Sequence, residues 1–244
     1  MTLNTRTLAL CLTLTLATPL LAQSPLLASS STTLPEAPEP SNVQGSNAVL
    51  PASTTTKYIA PNQPAPRLDT RDKFELGFKH AISPMTMLGW AAASGYEQAL
   101  NGSPNYGTNS YAYAQRFGAA AARNASEDIF SDAVLASILH EDPRYYRMGP
   151  GPGQGPVRRV LHAVSRTFIS QTDSGRTMPN FSLLGGNLAG SYLTRAYYPP
   201  HNRSNKEILK TFGGSLGGSA LDFSISEFLS GALNIFHGDR PANY

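Results

Sequence analysis

Apolar residues recur at helical spacing through most of the chain after residue 67. A first tract carries Phe74, Leu76, Phe78 and Ile82; Asp69 or Thr70 can cap it, and Pro84 interrupts it. A second, from Met85 to Leu100, carries Met87, Leu88, Trp90, Ala91 and Tyr96 and stops at the turn Asn101-Gly102-Ser103-Pro104. The longest tract runs from Ser110 to His140. Its first half is alanine-rich and suits close packing, and its second repeats Ile129, Val134, Ile138 and Leu139. Asn124 and Glu127 have capping-box spacing and predict a restart midway.

Asp142-Pro143 reads as an N-cap and first helical residue of a short turn through Tyr145 and Tyr146. Met148 to Pro156 is too rich in Gly and Pro for helix or strand. Val157 to Ser170 is amphipathic, with Val160, Leu161, Val164 and Phe168 on one face and arginines beside them; Asp173-Ser174-Gly175 turns the chain after it. Phe181 to Tyr198 predicts a helix with a small-residue face at Gly185, Gly186, Ala189 and Gly190, ended by Pro199 and Pro200. The last helix opens on a capping box, Ser204 to Glu207, and carries Ile208, Phe212 and Leu216 before the glycine-dense FGGSLGGSA. Glycine inside a helix costs about 1 kcal/mol against alanine, so these positions predict close approach by a neighbouring helix. Sustained strand alternation is absent. The expectation is an all-α single compact bundle of about six helices with glycine-rich close packing, spanning 67–244.

The first 66 residues follow other rules. Arg6 precedes an apolar run, Thr7 to Ala22, of about 16 residues, short of the roughly 20 that span a bilayer. That layout predicts a secretory signal peptide over 1–22, with retention as an anchor as the alternative. Residues 23–66 are rich in Ser, Thr, Pro and Ala, with no aromatic before Tyr58, and predict a disordered linker. Cys11 lies inside the signal, so the exported chain has no disulfide and no thiolate ligand or nucleophile.

The net charge of +3 hides a segregation. Glu127, Asp128, Asp132, Glu141 and Asp142 make one stretch acidic, whereas 143–203 holds eight arginines, no lysine and only Asp173 as an acid. Arginine without lysine suits paired, partly buried recognition of carboxylate or phosphate. The arginines either pair within the fold or meet an anionic partner such as a lipid or another envelope component. Nucleic acid does not fit an exported chain without aromatic platform spacing.

Chemistry-bearing candidates lie in two places. One is the run His140 to Arg147, where His140 and Asp142 converge only if the chain turns at Asp142; HExxH is absent and no metal or cofactor is expected. The other is Ser165-Arg166 with Thr172 to Arg176, which has no nucleophile motif and would need His140 or His162 as a base. Candidate catalytic residues are thus His140, Asp142 and Asp173; candidate anion-binding residues are Arg144, Arg147, Arg166 and Arg176. The bland alternative is a helix junction held by carboxylate–arginine pairs.

Three blocks, HEDPRYYRMG at 140–149, SRTFISQTDSGRTMPNFSLLGGN at 165–187 and AYYPP at 196–200, resemble segments of an uncharacterised family of exported bacterial proteins. The resemblance implies export and a single domain; it supplies no reaction, ligand or catalytic residue. The expected role is binding or scaffolding in the periplasm or at a membrane surface. The alternative is an envelope hydrolase acting on lipid, phosphate ester or cell-wall material. Oligomeric state does not follow from the sequence.

Overall fold

A computed structural model describes residues 49–236, with side chains to residue 229. The signal peptide and most of the linker expected from the sequence lie outside the described residues. The described chain is mostly helical, with two small sheets beside the helices, so the expectation of an all-α fold is corrected to that extent.

Helix α1 (Thr70–Ala81) starts where Asp69 accepts from the Asp72 N–H at 2.8 Å and Asp72 accepts from the Asp69 N–H at 3.1 Å, a reciprocal box of two aspartates. Ser83 caps α2 (Pro84–Ala99), with Pro84 at the first position where no N–H is needed. Asn109 caps α3 (Ser110–Asp128). The restart expected at Asn124 does not occur; the Asn124 amide bonds back to the Ala120 carbonyl. The helix instead widens into a π-helical segment, Ile129–Leu135, and narrows again in α4 (Ala136–Leu139).

His140 takes a left-handed conformation (φ 55°) and ends that helix. The following residues are not the helical turn expected at Asp142-Pro143. β2 (Glu141–Asp142) pairs antiparallel with β4 (Ile169–Thr172), which forms a hairpin with β5 (Thr177–Pro179). Gly175 (φ 81°) supplies the turn in that hairpin. β1 (Tyr58–Ile59) and β3 (Tyr145–Tyr146) make a second, parallel pair. Helix α5 (Pro156–Arg166) therefore ends earlier than expected. Helix α6 (Phe181–Leu193) is capped by Asn180 and runs into 3-10 turns before α7 (Asn205–Phe236).

The linker boundary expected at residue 66 lies too late. Ala52, Lys57 and Ile59 are buried, and Tyr58 joins the apolar cluster of Tyr145, Ala163, Leu183 and Phe223. The segment from residue 52 on therefore belongs to the folded unit.

Glycine packing is real but sits elsewhere than on the last helix. A Cβ on Gly186 would lie 2.5 Å from the backbone nitrogen of Ser131, and one on Gly190 would lie 2.4 Å from the Glu127 Cγ. Gly77 of α1 faces Ala133 at 3.3 Å. Helices α1 and α6 thus clamp the π segment between small residues. On α7, by contrast, Cβ atoms added at Gly213, Gly214, Gly217 and Gly218 would meet nothing within 4 Å. Those glycines are exposed, and the expected close approach there is corrected.

Candidate functional site

The interior between these helices is unusually polar. Lys57, Lys73, Arg116, Glu127, Asp132, Glu141, Asp142, Arg144 and Glu227 are all buried. A buried charge is tolerable only when paired and hydrogen-bonded, and most of these groups are organised into clusters.

The first cluster gathers side chains from β1, α1, α3, the π segment and α7. Lys57 Nζ pairs with Asp132 Oδ2, and Ser131 Oγ lies 3.2 Å from Asp132 Oδ1. Tyr58 donates its hydroxyl hydrogen to Asp222 on α7, and the same oxygen lies 3.0 Å from His80 Nε2. A hydroxyl that gives its one proton to Asp222 can only accept from His80, which assigns the ring proton to Nε2. His80 Nδ1 then faces Asp128 Oδ2 at 3.4 Å and Asp132 Oδ2 at 3.9 Å, and this buried nitrogen has no hydrogen-bond partner. Burial opposes a charged His80, but Asp128 and Asp132 outweigh it and raise its pKa. Burial also raises Asp222, against the bond from Tyr58.

The second cluster centres on Glu227, of which 1% is exposed. It accepts from the Tyr145 hydroxyl at 2.6 Å, the Met148 N–H at 2.7 Å, the Gly149 N–H at 3.1 Å and Arg159 Nε at 3.3 Å. Burial works against its charge, but these donors prevail and hold the carboxyl below its usual range. His162 Nδ1 lies 3.5 Å away, and burial lowers that histidine. The Tyr145 ring meets Tyr58 edge-on, with centroids 6.5 Å apart, which joins the two clusters.

A third polar group surrounds Glu127, which accepts from Ser215 at 2.6 Å and lies 4.0 Å from Arg123. Burial outweighs the Arg123 charge and pushes Glu127 up to about 7.

The residues singled out in the sequence are distributed as follows. Asp142 and Arg144 form a buried two-pronged pair at 2.9 and 2.8 Å, and Tyr146 donates to Asp142 at 2.7 Å. Arg166 lines a small cavity with Arg144, Ser170, Ser182 and Phe223. Asp173 pairs with Lys73 of α1 at 2.7 Å, not with an arginine. Its N–H bonds the His140 carbonyl, but the His140 ring is exposed and lies 3.1 Å from the Ser137 carbonyl. Arg147 reaches the Ile59 carbonyl at 3.4 Å, and Arg176 stands exposed at the hairpin turn. The structure thus brings Asp142, Arg144 and Arg166 together, leaves His140 and Arg176 outside, and joins Asp173 to a different helix.

The outside of the molecule has the opposite character. On α5, Arg159, His162, Ala163 and Arg166 turn inward, whereas Val157 is 72% exposed and Leu161 64%, and Phe168 in the turn after the helix is 51% exposed. On α7, Ser215, Asp222, Ser226 and Glu227 face the interior, and Leu209, Leu221 and Ile225 face out beside the exposed glycines. Phe74, Phe78 and Ile82 repeat the pattern along α1. No helix among the described residues is long and apolar enough to cross a membrane. Comparison of the chain with protein-family models, curated proteins and solved structures finds no match.

Proposed function

We propose that this chain is an exported envelope protein that binds at a membrane surface, seating its outward apolar helix faces in the lipid interface. The observation that carries the reading is the inverted amphipathicity of α5. Val157 and Leu161 of α5, and Phe168 just after it, are turned out, Val160 and Val164 are partly exposed with Val160 beside Ile225 and Phe228 of α7, and Arg159 and His162 are held inside by Glu227. Contiguous exposed apolar surface of this kind marks contact with lipid or a partner. Lipid fits better than a single protein partner because similar faces occur on α1, α2, α5 and α7. Arg158 is exposed beside the stripe, the arrangement by which interfacial helices meet anionic headgroups. The signal-like N-terminus and the resemblance to exported proteins support the compartment.

Vesicle flotation tests the reading. The exported chain is expected to float with vesicles containing anionic phospholipid, and Val157→Ser/Leu161→Gln/Phe168→Ser together to abolish most of that binding without changing helix content. A chain that stays with the aqueous fraction, or a triple variant that binds as the unaltered protein does, would overturn it. The hydrolase reading has less support, since Asp142 and Asp173 are both engaged in ion pairs.

A further inference from the structure

We infer that His80, Asp128 and Asp132 form a binding site for one divalent first-row transition cation of the zinc type. Three observations carry this independently of the membrane reading. The first is the donor set. One imidazole nitrogen and two carboxylate oxygens, all within 4.8 Å of one another, are the mixed nitrogen–oxygen ligands that such cations take.

The second is spacing. His80 Nδ1 lies 3.4 Å from Asp128 Oδ2 and 3.9 Å from Asp132 Oδ2. Those separations are too long for charge-assisted hydrogen bonds, which close to about 2.7–2.9 Å. The 3.4 Å separation suits two ligands of one ion, since two atoms each about 2.1 Å from a tetrahedral metal lie about 3.4 Å apart, and Asp132 would have to close by about 0.5 Å to join them. The Nδ1 atom is shut off from solvent and has no hydrogen-bond partner, and it faces two carboxylates, of which Asp132 Oδ2 also holds the Lys57 ammonium. A cation removes that conflict.

The third is the support behind the ligands. Histidines that bind metal give their other ring N–H to an oriented acceptor. Here His80 Nε2 reaches the Tyr58 hydroxyl, which is itself fixed by Asp222. Ser131 Oγ steadies the Asp132 carboxylate. Asp128 and Asp132 also set two carboxylates beside the single ammonium of Lys57. Asp128 and Asp132 sit one helical turn apart where α3 opens into the π segment, a form of helix that recurs at functional sites. The Asp128 side chain is 24% exposed, which leaves a route to it from solvent.

The test uses untagged full-length protein stripped with chelator. Titration with zinc chloride followed by calorimetry is expected to show one site per chain and a rise in the thermal midpoint. His80→Gln and Asp128→Asn are each expected to weaken binding at least tenfold, whereas His140→Gln and His201→Gln leave it unchanged. Circular dichroism checks folding, and Asp128→Asn carries the test if His80→Gln does not fold, because Asp128 is partly exposed. Zinc bound equally by Asp128→Asn and the unaltered protein would overturn the site. So would a midpoint that responds to pH but not to zinc, since the cluster would then hold only a proton. Vesicle binding is read separately, so failure of either proposal leaves the other standing.

Discussion

Glu227→Gln is expected to lower the stability of the folded unit by on the order of 3–5 kcal/mol, the cost of breaking a buried charge pair from one side. The carboxylate is the acceptor for donors from three places: Tyr145, the backbone at Met148 and Gly149, and Arg159 of α5. A carboxylate offers only acceptors. The amide that replaces it must aim an NH2 group at one set of these donors and leave Arg159 without a counter-charge. For a domain of this size the thermal midpoint should fall by roughly 10 °C, and denaturant titration gives the free energy. The matching exposed pair, Lys210 with Glu207 at 2.7 Å, should tolerate Lys210→Met without a measurable change. Equal effects at the two sites would mean that the Glu227 cluster is not a buried anchor.

Gly186→Leu should cost about 3 kcal/mol by overpacking, and Gly186→Ala should already be clearly destabilising. The obstacle is backbone: the new Cβ would meet Ser131 N at 2.5 Å and Ser131 Cα at 2.7 Å, so no side-chain rotation relieves it. α6 would have to move off the π segment. Gly214→Ala has the opposite expectation. Nothing lies within 4 Å of its Cβ, and replacing glycine in a helix interior should stabilise by about 0.5–1 kcal/mol. The two variants, measured by the same denaturation experiment, separate glycines that pack from glycines that face outward. A neutral Gly186→Ala would show that the α6 contact is loose.

Helix positions were legible because they depend on local rules. The caps at Asp69 and Ser204 and the breaks at Pro84 and Pro199 act over a few residues, and the helices begin or end within a few residues of them. The short strands were not legible. β2 and β3 have two residues each, too few for alternation, and Asp142 looks like a cap until Arg144 is seen to occupy its carboxylate. Direction was the deeper gap. Periodicity showed that α5 has an apolar face and a polar face, but not which one turns inward. That is decided by Glu227, which is 68 residues from Arg159 and invisible to any local window. The same holds for the glycines of α7, where a dense cluster read as close packing lies on the open side.

The site residues divide along the same line. Asp142 and Arg144 sit two apart, and their pairing follows from the local excess of arginine. His80 meets Asp128 and Asp132 only through packing of α1 on the π segment, and Lys57 and Tyr58 come from a stretch whose composition argued against order. The one signal available for that cluster was the four-residue spacing of Asp128 and Asp132, which places both on one side of a helix.

The central claim, that the apolar faces are turned out to meet lipid, is tested most directly by depth quenching. Trp90 is the sole tryptophan and is only 7% exposed, so Trp90→Phe removes the background. Leu161→Trp in that chain then places a reporter in the middle of the α5 stripe. With vesicles whose acyl chains carry bromine, the account expects a blue-shifted emission that is strongly quenched. Emission at position 161 that stays solvent-like and unquenched in the presence of those vesicles would contradict it.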